Sequence, residues 1–128
     1  MLINEYFDDY CRAFNLSDGE YISACFNRPA IFMEGKRKTI FTTEEEVGAF
    51  VKKSLENYRK KQVVRADIEI QQVIRLASDF MFCKIIWWFY GQDGRALFQC
   101  PISYTMQMDG NNVTHIVALV KDKDHPVG

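Results

Sequence analysis

Phe80-Met81-Phe82-Cys83-Lys84-Ile85-Ile86-Trp87-Trp88-Phe89-Tyr90, followed by Gly91-Gln92-Asp93-Gly94, decides the fold of this chain. Aromatic and β-branched residues crowd the run, and Gln92-Asp93-Gly94 supplies a hairpin turn. The stretch therefore reads as a strand leading into an antiparallel partner. Ile86, Trp88 and Tyr90 share one face, while Ile85, Trp87 and Phe89 share the other. A sheet in a small domain has one core face. A second apolar face needs a cover, and the simplest cover is another copy of the chain. A homodimer through the sheet is the expectation.

The same reading extends in both directions. Residues 64–77 alternate, with Arg65, Asp67, Glu69 and Gln71 set against Ala66, Ile68, Ile70 and Gln72. Residues 96–108 form the next long strand. Asp109-Gly110-Asn111-Asn112 turns it into a last strand from Val113 to Val120. Before residue 63 the period is helical. Leu2, Ile3, Tyr6, Phe7, Tyr10 and Phe14 form one stripe. Ser17 and Glu20 read as a capping box opening a short second helix that stops before Pro29. Thr42 and Glu45 read as a second box, opening a third helix with Val47, Phe50, Val51, Leu55 and Tyr58 on its apolar face. Residues 30–34 and 36–40 pair as a short hairpin that can join the sheet edge. Helices first and an antiparallel meander last make an α+β layout. One domain over 1–120 and a charged, loose tail over 121–128 are expected.

Bulk properties exclude several classes. The chain has 128 residues and a formal charge of −1, so it offers no global field for nucleic acid or anionic membrane. The basic residues Lys52, Lys53, Arg59, Lys60, Lys61 and Arg65 share their region with Glu44, Glu45, Glu46 and Glu56, as a solvated helix face would. Cys11, Cys25, Cys83 and Cys100 form no C-x-x-C pair, and each sits in an apolar pattern. Buried thiols in a reducing compartment are expected, with no metal site. The N-terminus has no basic segment leading an apolar one, and the most apolar stretch is too short to span a bilayer. A soluble cytoplasmic protein, without membrane or nucleic-acid partners, is the expectation.

Glu34 is the most informative single residue. It follows the apolar run Ala30-Ile31-Phe32-Met33 and precedes Gly35. A carboxylate at the inner end of a buried strand is costly unless it is paired, hydrogen-bonded or used.

The element order resembles the nuclear transport factor 2-like superfamily, which includes ketosteroid isomerase, scytalone dehydratase and polyketide cyclases. The resemblance covers residues 3–120. It is carried by Tyr10-Cys11-Arg12-Ala13-Phe14-Asn15 through Ser17-Asp18, by Phe26-Asn27-Arg28-Pro29-Ala30, and by Met108-Asp109-Gly110 through Val113. It implies a cone-shaped roll of three helices on a strongly curved, mainly antiparallel sheet enclosing a pocket. Ketosteroid isomerase is a standard illustration of pKa tuning, and its logic is borrowed here. Its first-helix tyrosine matches Tyr10, and its aspartate base matches Glu34. Its second acid has no counterpart, and Tyr104 or Ser103 falls there. Tyr104 is preferred because Ile102, Tyr104, Met106 and Met108 form the heavier apolar face.

Glu34 would then be a general base, with Tyr10 and Tyr104 donating to an oxyanion. Phe14, Phe32, Ile86, Trp88, Met106 and Ile116 would wall the pocket. Ile85, Trp87, Phe89 and His115 would face the dimer partner. The implied activity is cofactor-free proton transfer of isomerase, dehydratase or cyclase type on a small hydrophobic carbonyl compound. The rival reading is a dimer that binds a hydrophobic ligand or serves protein association without catalysis. Two orientations of Glu34 separate them. Inward beside Tyr10 favours the enzyme; outward, paired with Lys36 or Arg37, favours the binder.

Overall fold

The computed structural model describes residues 1–127. The elements run α1 (Ile3–Asn15), α2 (Gly19–Ala24), β1 (Phe26–Glu34), β2 (Arg37–Phe41), α3 (Glu44–Lys60), β3 (Arg65–Ala77), β4 (Phe80–Tyr90), β5 (Ala96–Asp109), β6 (Asn112–Lys121) and β7 (His125–Pro126). Strands β3 to β6 form the antiparallel meander, and the sheet order is β2-β1-β6-β5-β4-β3. Strand β1 joins parallel to β6, and β2 closes the edge as the return arm of the short hairpin. The sheet curves strongly without closing, and its inner face carries the helices. This is the α+β layout that the sequence pattern implies, curved into the roll that the resemblance implies.

Both helix starts shift by one residue, and only the second keeps a capping box. Asp18, not Ser17, caps α2 and accepts from the Tyr21 amide at 3.1 Å. Ser17 instead takes a left-handed φ of 54° in the turn between the helices. Thr43 and Glu46, not Thr42 and Glu45, form the box of α3. Thr42-Thr43-Glu44-Glu45-Glu46 contains both spacings, so sequence alone allows either. The observed register lets the Glu46 Oε1 accept from the amides and hydroxyls of both threonines. Those bonds, led by the Thr42 amide, lower the pKa of Glu46.

The end of α1 is anchored by a side chain that sequence reading passed over. The Asn15 carbonyl oxygen accepts from the Ala66 amide at 2.7 Å, and its amide donates to the Ala66 carbonyl at 3.0 Å. A reciprocal pair of this kind docks the helix on the first residues of β3 and satisfies both backbone groups.

Residues 122–127 return to the sheet. His125 and Pro126 pair with Gln99 and Phe98 of β5. The Asp122 amide donates to the Pro101 carbonyl at 3.0 Å, and the Val127 amide to the Leu97 carbonyl at 3.1 Å. Charge and a proline suggested a free end. The unpaired backbone groups of β5 beyond the reach of β6 supplied partners instead. Among the described residues, no helix is long and apolar enough to cross a membrane.

Candidate functional site

The inner face of the sheet and the helices enclose a cavity of about 730 Å³. Its walls come from every layer. Helix α1 gives Tyr10 and Phe14, the third helix gives Phe50, Leu55 and Tyr58, the β1–β2 hairpin gives Phe32 and Phe41, and the meander gives Trp87, Phe89, Ile102, Tyr104 and Leu119.

The face of β4 is opposite to the one expected. Cys83, Ile85, Trp87 and Phe89 point inward, opposite Tyr104, Ile102, Cys100 and Phe98 of β5. Ile86 and Trp88, expected to line the pocket, point outward; Ile85, Trp87 and Phe89, expected at a dimer interface, belong to the inner face. The reason is physical. The strand is apolar on both faces, so its own period cannot choose between them. The choice follows from its partners. Phe14 packs against Trp87 and Phe89 at 5.5 and 5.7 Å between ring centroids, and Tyr58 stacks on Phe89 at 4.4 Å. Met106 and Ile116 also face inward, but they are fully buried in the core and do not reach the cavity surface. His115 is exposed on the outer side.

At the inner end of the cavity lie three polar tips on aromatic bodies. Trp87 Nε1 donates to the Tyr104 hydroxyl at 2.9 Å. The Tyr10 and Tyr104 rings meet edge-on at 6.2 Å, and Tyr10 meets Trp87 at 5.8 Å. Burial pushes the pKa of both phenols well above the usual tyrosine value. Both stay protonated, so both remain donors. The Trp87 bond takes an acceptor position on Tyr104, whose own proton is shared between Tyr10 and whatever acceptor enters the cavity. Ser103 lies on the other face of β5, and Tyr104 takes the inward position.

Glu34 also lines the cavity, but at its mouth. Its Oε1 accepts from Arg37 at 2.9 Å, and its Oε2 lies 3.4 Å from Lys121 Nζ. Arg37 was a foreseen partner; Lys121 was not, because it sits in the segment read as a tail. Lys121 in turn meets Asp124 Oδ1 at 3.4 Å, and Asp124 Oδ2 meets Lys61 Nζ at 2.6 Å. The mouth is thus edged by an alternating row: Arg37, Glu34, Lys121, Asp124, Lys61. Burial raises the pKa of Asp124, but hydrogen bonding to Lys61 and the charge of Lys121 outweigh it and leave the carboxyl below its usual range. Burial likewise works against charge on Lys121, yet the Cys100 thiol, Asp124 and Glu34 together raise it. Of this row, only the tertiary return of residues 121–126 could assemble Lys121 and Asp124 with Lys61. The apolar wall from Phe50, Leu55 and Tyr58 was present in sequence as the apolar face of α3.

Over residues 2–124 the sequence matches the family model described as NTF2-like protein (DUF6841). The chain belongs to that family. Solved structures repeat the NTF2-like fold at low identity. A domain of unknown function with a cystatin-like fold from Nostoc punctiforme is 17% identical, with a TM-score of 0.73, covering 94% of this chain and 74% of that one. A ketosteroid isomerase-like protein from Erwinia carotovora atroseptica is 15% identical, with a TM-score of 0.70, covering 95% and 93%. An NTF-2 like protein of unknown function from Shewanella oneidensis is 13% identical, with a TM-score of 0.72, covering 94% and 96%. At such identities the likeness establishes the fold of this NTF2-like chain and leaves its chemistry to its own residues. No curated protein matches the sequence. Among the described residues, no group of three or more His, Cys, Asp or Glu is arranged to hold a metal ion.

Proposed function

We propose that the cavity binds a flat, apolar small molecule through one oxygen acceptor, without proton transfer by Glu34. The observation that carries this reading is the Trp87–Tyr104–Tyr10 cluster. It presents phenolic donors at the inner end of a largely apolar space. A pocket with apolar walls and a few convergent polar groups is the usual form of a small-molecule site. Glu34 supports the binding reading over the catalytic one. It sits at the mouth, and each of its oxygens already faces a cation.

A matched pair of ligands tests the proposal. Titration calorimetry with 2-acetylnaphthalene and 2-ethylnaphthalene compares one apolar body with and without a carbonyl oxygen. The ketone is expected to bind more tightly by about tenfold, the equivalent of a hydrogen bond worth roughly 1–1.5 kcal/mol. Tyr10→Phe with Tyr104→Phe should erase the difference while leaving the hydrocarbon's affinity in place. Equal binding of both ligands to the wild-type chain would sink the reading.

The outer face of the sheet supports a second proposal, that two copies associate through it. Ile74, Phe82, Thr105, Ala118, Ile31 and Ile40 lie opposite one another in register across all six long and short strands. They form a band with Ile40 60% exposed, Ile74 42% and Ile31 39%, flanked by the exposed Val120. Of the expected interface residues, Ile85, Trp87 and Phe89 lie on the inner face and His115 on the outer one, and the need for a cover persists on that outer face. Lys36 and Lys38 mark the β2 end of this face, and Asp67 and Glu69 mark the β3 end. A two-fold axis along the strands brings those ends together.

A further inference from the structure

The mouth of the cavity holds a carboxylate site that the chain fills with its own Asp124. We infer that the natural ligand is an amphiphilic anion whose carboxylate takes the place of Asp124 between Lys61 and Lys121, with its apolar body in the aromatic cavity. This inference rests on the pocket reading above and adds the charge of the ligand to it.

Three observations converge on it. First, the two oxygens of Asp124 address two different ammonium groups, Lys61 at 2.6 Å and Lys121 at 3.4 Å. Ionised pairs of this kind are stronger than neutral hydrogen bonds and are worth more at a partly buried site. Lys121 and Asp124 are only 17% and 19% exposed.

Second, both lysines are held in place without Asp124. The Lys61 ammonium lies over the rings of Tyr58 and Phe98, at 5.9 and 5.3 Å from their centroids. Lys121 is held from its other side by Glu34 and by the Asp122 carbonyl at 3.3 Å. The anion site is therefore preorganised, and removing one carboxylate leaves its two cations in position.

Third, the occupying carboxylate is carried on a short connection between two strands, not within a long one. Asp124 lies between the end of β6 and the two residues of β7, joined to the sheet by a few backbone bonds. Tyr58, Lys61, Lys121 and Asp124 all line the same cavity, so an apolar acid bound in that space would set its carboxylate beside the two ammonium groups. The competing side chain then acts as a built-in placeholder. It satisfies the cations in the empty protein and lowers the apparent affinity of any anion that must displace it.

Titration calorimetry on the full chain tests this with 2-naphthoate and its uncharged counterpart, 2-naphthalenemethanol. The wild-type chain is expected to bind naphthoate more tightly than the alcohol. Asp124→Asn should tighten naphthoate by about tenfold and leave the alcohol nearly unchanged, because only the anion competes with the carboxylate. Lys61→Met, at the exposed end of α3, should remove most of the preference for the acid. The inference is overturned if Asp124→Asn weakens naphthoate or leaves it unaltered, or if the alcohol binds as tightly as the acid. Binding of the alcohol with no binding of naphthoate would overturn the anion assignment alone. Binding of neither would overturn it together with the pocket reading.

Discussion

Trp87 ties the cavity together more than any other side chain. Its indole N–H donates to Tyr104, its ring meets Tyr10 and Phe14, and it stacks beside Phe89 at 6.0 Å. Sequence placed it on an interface because Trp87 and Trp88 are chemically equal candidates for the inner face. Only one of them can reach a buried hydroxyl. The thiols were easier to read, since an apolar neighbourhood on every side leaves little choice. All four cysteines are free and buried. Burial pushes Cys11, Cys25 and Cys83 up to about 11 and Cys100 to about 12. In the unfolded chain the same groups ionise at about 8.5, well below those values. Each thiol therefore favours the folded state below that value, and the advantage is lost as pH rises from about 8.5 through the folded pKa. At pH 8 the native protein should react with a thiol reagent at least a hundredfold more slowly, roughly, than the chain in urea. Rapid modification of any cysteine in the native protein would show that its site is open.

At the scale of elements, the third helix does two tasks. Its inner residues Phe50, Leu55 and Tyr58 wall the cavity, and its last turn delivers Lys61 to the mouth. Its start is fixed by the Thr43–Glu46 box, with Thr42 added to the same carboxylate. Thr43→Ala should cost about 1 kcal/mol of unfolding free energy, within the usual range for a lost N-cap. Thr42→Ala should cost less, because its hydroxyl is an addition to a cap already made. Denaturant unfolding of the two variants measures the order, and a larger loss for Thr42→Ala would restore the box that sequence alone suggested. The helix itself, with its acids first and its bases last, was legible from spacing and dipole alone. The one-residue register was not, because five consecutive residues contain two equivalent boxes. The β7 segment was illegible for a different reason. Its two residues have no pattern of their own, and they become a strand only where β5 leaves backbone groups unpaired.

At the scale of the whole molecule, the outer face of the sheet matters most. The exposed band from Ile40 to Ile74 spans the sheet, and the proposed dimer would cover it. Ile31→Glu combined with Ile40→Glu should yield a monomer in sedimentation velocity, at concentrations where the parent chain is a dimer. Charge placed in a buried apolar contact costs several kcal/mol unless paired. A parent chain that stays monomeric at about 100 μM, where a stable standard-sized interface would be filled, would remove the proposal.

The sequence by itself determined the class of fold and the order of its elements. Helical stripes, capping residues and turn residues act over a few neighbours, and those neighbours are printed in the chain. It also placed Tyr10, Glu34 and Tyr104 around one space, through the resemblance to a known family. Only the tertiary structure decided which face of β4 looks inward, because both faces are apolar and the choice rests with the helices that pack on them. Only the tertiary structure brought Lys121 against Glu34 and Asp124 against Lys61. Those are meetings of charges far apart in the chain, and no local pattern records them.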